Sequence, residues 1–205
     1  MARPQSTCDG EGMTADDVPG RHASSNGRAV LISLAVPITG RRRAQRALAR
    51  AERHLVARMV TDRGIGPWRA RCQRRLEAAR RTFSRRGRLS RGLAAAVVVA
   101  LSDKATRDRC WREVEADRDP AWPAFWLHLS RHALPPYRAE PLFLLAWTAW
   151  RQGDVVLARA AAEATVAEDA GHRGAAMLRA LLRLQLESRR LPSLACEHAT
   201  GSRAR

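Results

Sequence analysis

The chain has 205 residues, 45% of them hydrophobic and six of them Trp, which suits a single buried core with appendages. Its 37 Lys and Arg stand against 20 Asp and Glu, a net charge of +17 that points toward a polyanionic partner. The longest apolar runs, AVLISLAVPI from 29 and LAAAVVVAL from 93, fall short of the roughly 18–20 residues that cross a bilayer, so no membrane partner is expected.

Residues 1–27 are rich in Gly, Ser, Asp, Pro and Thr, too poor in apolar groups to offset the entropy of ordering, and are expected to be disordered. Asp9, Glu11, Asp16 and Asp17 also argue against a secretory signal. The β-branched run RAVLISLAVPI, 28–38, lies between Gly27 and Gly40 and reads as one short extended segment without a partner strand. Residues 1–40 thus form a disordered or irregular N-terminal segment.

From Arg41 the periodicity is helical. Ala44, Leu48, Ala51, Leu55 and Met59 recur every three or four residues and predict one apolar stripe over 41–61. A second helix is predicted after Gly66, with Pro67 in its first turn and Trp68, Cys72, Leu76, Ala79 and Phe83 as its stripe. Arg fills most of the remaining surface of this 41–86 unit. Residues 41–91 hold 18 Arg against Glu52, Asp62 and Glu77, which is +15 of the total +17. Lys104 is the only lysine in the chain. Arg and Ala share GC-rich codons, so part of this excess reflects base composition.

Residues 87–192 read as a core of paired helices. A buried helix to about Leu101 is followed by a break, where Ser102 or Asp103 is placed to cap the next helix. On that helix, Asp103 with Arg107 and Asp108 with Arg112 are favourably oriented pairs four apart. AWPAFWLHLSRHA sets Trp122, Phe125, Trp126, Leu129 and Ala133 on one side, and Pro135-Pro136 then forces a turn. PLFLLAWTAWR, 141–151, is apolar at every bearing and predicts a helix buried all round.

Gly153 and Asp154 match a left-handed helix end and an N-cap, so the next helix should fold straight back. It would offer Ala158, Ala161 and Ala164 or Thr165 to the Trp-bearing helix. A turn at 171–174 leads to a last helix facing inward through Ala175, Leu178, Leu181, Leu182 and Gln185. Pro192 ends the pattern, leaving 193–205 as a flexible tail.

Helix pairs start near 105, 139 and 173, the tetratricopeptide spacing of 34 residues, with Ala124 and Ala158 at corresponding positions. The expected fold is all-α, with tetratricopeptide-like stacked antiparallel helix pairs.

Three stretches, LSDKATRDRCW (101–111), PAFWLHLSRHALPPY (123–137) and PLFLLAWTAWRQGDVVLARAA (141–161), resemble the C-terminal part of an actinobacterial family designated domain of unknown function 4192. The resemblance covers about residues 67–192. It implies the helical fold and no particular chemistry. Members have a longer N-terminal α/β portion, of which only 28–38 would remain here, and an Asp-Pro where this chain has Asp169-Ala170.

Candidate chemistry is sparse. His128 and His132 lie four apart on one helix, but the intervening residues lack the Glu of HExxH and no third ligand is indicated, so they are read as half-buried flanks of the aromatic stripe. Neither GxSxG, GxxxxGK[ST] nor GxGxxG occurs. Cys8, Cys72, Cys110 and Cys196 are too scattered for a zinc or redox motif and read as reduced thiols of a cytoplasmic protein, with Cys72 and Cys110 packing as small apolar residues.

The Trp residues sit at core spacing. That leaves Arg69, Arg71, Arg74, Arg75, Arg80, Arg81, Arg85 and Arg86 as candidates for contacting phosphates or an acidic partner. The expectation is a helical interaction module without a cofactor, metal or catalytic site, whose partner is an unidentified protein. The alternative is non-specific nucleic-acid or polyanion binding through 41–91.

Overall fold

A computed structural model describes residues 38–61 and 64–184. The expected extended segment up to Pro37, Gln185 and the 193–205 tail lie outside these residues. All regular structure among the described residues is helical. In chain order the helices are α1 (Ile38–Thr61), α2 (Ile65–Arg86), α3 (Arg91–Ala100), α4 (Lys104–Ala116), α5 (Trp122–His132), α6 (Ala139–Arg151), α7 (Val155–Glu168) and α8 (Arg173–Arg183). Helix α1 begins at Ile38 and runs through Gly40, which was expected to separate it from the N-terminal segment.

The helix ends follow local chemistry. Gly87, at φ 63°, closes α2 by donating its N–H to the Phe83 carbonyl at 2.7 Å, a conformation glycine adopts without Cβ strain. Ser90 caps α3 by accepting the Leu93 N–H. Asp103, not Ser102, caps α4. At the sharpest reversal, Gly153 has φ 85°, and Asp154 Oδ1 accepts the Leu157 N–H at 2.9 Å. The predicted corner between α6 and α7 is therefore present, and the two helices pack along each other.

Helix α6 is the centre of the molecule. Every residue from Pro141 to Trp150 is buried, which explains why its sequence has no polar face. Helix α5 covers one side through Trp122, Phe125, Trp126 and Leu129, and α7 covers another through Ala158, Ala161, Ala162 and Thr165, all buried. The small side chains of α7 let its axis approach, and the indoles of α6 occupy the space between. Helix α8 packs against α7 and α6 with Ala175, Leu178 and Leu182 buried and Leu181 partly so. Aromatic contacts tie the layers, with Phe83 of α2 meeting Phe125 of α5 edge-on at 5.5 Å and Trp111 of α4 meeting Trp147 of α6 edge-on at 5.3 Å.

On the other side of α5, α3 brings Ala94, Ala95, Val97, Val98 and Val99 into the same core and carries α1 and α2 on its outer surface. Ala44, Leu48, Leu76 and Ala79 join the core cluster containing the α6 residues, so the Arg-rich helices are integral to it. Their predicted stripes are observed, with one correction. Met59 is exposed together with Val56 and Val60, because the 24 residues of α1 run on past the 10-residue α3 that supports them.

Helices α4, α6 and α8 start at 104, 139 and 173, close to the predicted spacing. Ala124 and Ala158, which stand at corresponding positions in sequence, differ in setting, Ala124 being exposed and Ala158 buried. Packing of α4 against α2 and α6 places its surface where Arg-rich α2, and not a preceding helix pair, is the neighbour.

Candidate functional site

The eight arginines proposed from sequence stand in different surroundings. Arg69 reaches across to α4 and grips the Asp103 carboxylate, Nε to Oδ2 at 3.1 Å and Nη2 to Oδ1 at 2.9 Å. Arg80 contacts Asp117 at 3.0 Å and Asp119 at 3.3 Å, with its guanidinium 3.9 Å above the Trp122 ring. Both therefore brace α2 against the loops flanking α4. Arg71 is half-buried and engaged. Arg74, Arg81, Arg85 and Arg86 are exposed, and none pairs with a carboxylate among the described residues.

Arg75 belongs to a different setting. It donates to His54 Nε2 at 2.9 Å across the α1–α2 interface, and it lines a groove of about 650 Å³ bounded by α1, α2 and the start of α3. Helix α1 supplies Arg43, Arg46 and Arg50, and α3 supplies Arg91. Ala47, Ala51, Leu93 and Ala96 form an apolar floor, and no Asp or Glu is among the lining residues. Arg43, Arg46, Arg50 and Arg91 are exposed and have no acidic partner among the described residues. Like charges held this close keep a positive potential in the cleft that an anion would relieve.

Four of these five arginines lie outside the sequence-derived set, which stopped at α2. The signal was present in α1, where positions 43, 46, 47, 50, 51 and 54 share one face at helical spacing.

Two other sequence candidates have structural employment. His128 Nε2 accepts the Leu89 N–H at 3.1 Å, and His132 Nδ1 donates to the His128 carbonyl at 2.9 Å, so one ring nitrogen of each is committed to backbone. Burial, with His132 and Arg131 adding to it, pushes the His128 pKa down to about 4. Cys72 and Cys110 are buried, and burial raises the Cys110 thiol well above its ordinary range, which suits packing rather than reactivity.

Elsewhere, the local pairs predicted on α4 are replaced. Asp103 serves Arg69 and its own helix N-terminus, Arg107 reaches Glu140 at 2.6 Å, and Arg112 meets the Asp108 carbonyl instead of its carboxylate. A capping carboxylate is aimed back at the first-turn N–H groups, away from the residue four positions ahead. No helix among the described residues is long and apolar enough to cross a membrane.

No curated protein and no solved structure matches the chain. A family model described as Domain of unknown function (DUF4192) matches residues 13–188, beginning well before the stretch on which the sequence resemblance rests. The match takes in the Arg-rich helices and the core together, and the chain belongs to this family.

Proposed function

We propose that the chain is a helical interaction module that works by binding, with its last five helices in tetratricopeptide-like order, and that its partner is a polyanion held by the Arg-rich helices. The observation that carries this reading is the groove: five arginines from three helices border one cleft with no carboxylate in its lining. Base composition accounts for arginine in number, but it gives no reason for Arg43, Arg46, Arg50, Arg75 and Arg91 to share a concavity. Acid-paired Arg69 and Arg80 mark the contrast, because their charge is already matched by Asp103 and by Asp117 and Asp119.

The mechanism is electrostatic. Bringing phosphates or carboxylates into the cleft relieves repulsion among the guanidinium groups and releases counterions, so affinity should fall steeply with salt. Anisotropy of labelled random-sequence oligonucleotides, single- and double-stranded, tests it at two salt concentrations. Binding at low salt that weakens at least about tenfold at physiological salt is expected. No binding of either probe at low salt removes the polyanion reading.

A further inference from the structure

The charge of the groove is spread along α1, and this narrows the class of polyanion it fits. Along α1, Arg43, Arg46 and Arg50 rise on one face in steps of three or four residues. Each step is close to the helix pitch of about 5.4 Å, and the row extends about 10 Å. A compact anion would need donors converging on one point. A row of cations at regular intervals is instead complementary to a chain of charges, such as the phosphates of an extended strand.

Size and the floor discriminate further. A volume of about 650 Å³ lies within the roughly 300–1,000 Å³ of small-ligand clefts, room for nucleotides of one strand. Ala47, Ala51, Leu93 and Ala96 offer apolar surface to sugars and bases, and a bare polyphosphate has nothing to bury there. With no Phe, Tyr or Trp in the lining, bases would meet the alanine floor, guanidinium planes and the His54 ring, so sequence preference should be weak. At one end Gly92 stands in the first turn of α3, where a Cβ would meet nothing within 4 Å. A phosphate there can approach the backbone at the positive end of the helix.

We infer that the groove between α1, α2 and α3 is a track for single-stranded nucleic acid, with the backbone phosphates along Arg43, Arg46 and Arg50 and the nucleosides over the alanine floor. This rests on the polyanion reading above and specifies its ligand. Four or five neutralised phosphates would give a slope of log affinity against log salt of about −3.

The test uses the full chain and a labelled random single strand of about twelve nucleotides, with a matched duplex and inorganic polyphosphate as competitors. Two charge-matched double variants are compared, R46Q/R50Q inside the groove and R85Q/R86Q outside it, each checked for native helicity by circular dichroism. The track predicts that R46Q/R50Q weakens single-strand binding about tenfold or more and lowers the slope by about 1.4, while R85Q/R86Q changes affinity less than about threefold. Duplex or polyphosphate competing as well as the single strand, or equal losses in both variants, would overturn the track and leave the polyanion reading standing. Absence of binding to every anionic probe at low salt would overturn both.

Discussion

Arg69 and Asp103, 34 residues apart, form a two-bond clasp between α2 and the N-terminus of α4. The same carboxylate accepts the Thr106 N–H at 2.9 Å and the Thr106 hydroxyl at 2.8 Å. Burial works against the charged form, but the hydrogen bonds from Arg69 and Thr106 outweigh it and hold the Asp103 pKa below its ordinary value. Asp103→Ala is expected to lose about 1–2 kcal/mol, chiefly the helix cap. Arg69→Gln, which leaves the cap intact, should lose less. The lowered pKa means this stability is present above the unfolded-state value and disappears as pH falls through the folded one. Thermal unfolding of the two variants separates the contributions, and equal losses would refute the capping assignment.

Gly174 is required by its neighbour and not by its backbone. A Cβ there would lie 2.6 Å from Phe143 Cζ and 2.8 Å from Cε2, and that ring is held by Trp111 and His172 at 5.8 and 4.8 Å. Gly174→Ala should therefore destabilise by about 1–3 kcal/mol, overriding the roughly 1 kcal/mol that alanine gains in a helix. Gly92→Ala meets open space and should stabilise by about 0.5 kcal/mol. Denaturant midpoints of opposite sign are the expected result.

The pairing of His128 with the Leu89 N–H needs an unprotonated Nε2. Its folded pKa, about 4, lies below the ordinary histidine value of 6.5, so the unfolded chain binds the extra proton first. Stability from this group is complete above the unfolded pKa and is lost as pH falls from there toward the folded value. Between pH 7 and 5 the loss should be about 2 kcal/mol. Urea titrations at the two pH values should show that difference in the native protein and not in His128→Gln. Identical pH dependence in both would show that His128 is not responsible.

Trp147 donates its indole N–H to Glu115 inside the core, and Arg151 Nε lies 3.8 Å from the same carboxylate. Glu115→Leu would leave the indole N–H without its acceptor and is expected to cost about 2–4 kcal/mol. Glu115→Gln keeps an acceptor for the indole and should cost less. Chemical unfolding followed by tryptophan fluorescence gives both values, and a Leu variant as stable as the Gln variant would show that the indole finds another partner.

The helices that fill the core were legible because their apolar residues repeat at the period of the α-helix. PLFLLAWTAWR has no polar face and forms the central helix, and Gly153 and Asp154 carry the backbone freedom and side-chain acceptor that their turn requires. The stripe Trp68, Cys72, Leu76, Ala79 and Phe83 likewise marks the inner face of α2. These are local properties, set within one or two turns of chain.

Which arginines share a ligand-sized cleft was decided by tertiary packing. Arg69 and Arg75 stand only two turns apart on α2, yet one is clasped by Asp103 and the other opens onto a groove with residues of α1 and α3. A charge has no periodic signature that reveals its partner, because attraction depends on distance through space and on which carboxylates the fold brings near. Periodicity thus determined the rods and their buried faces, while docking α1 and α2 onto α3 decided which basic side chains brace the fold and which line the groove.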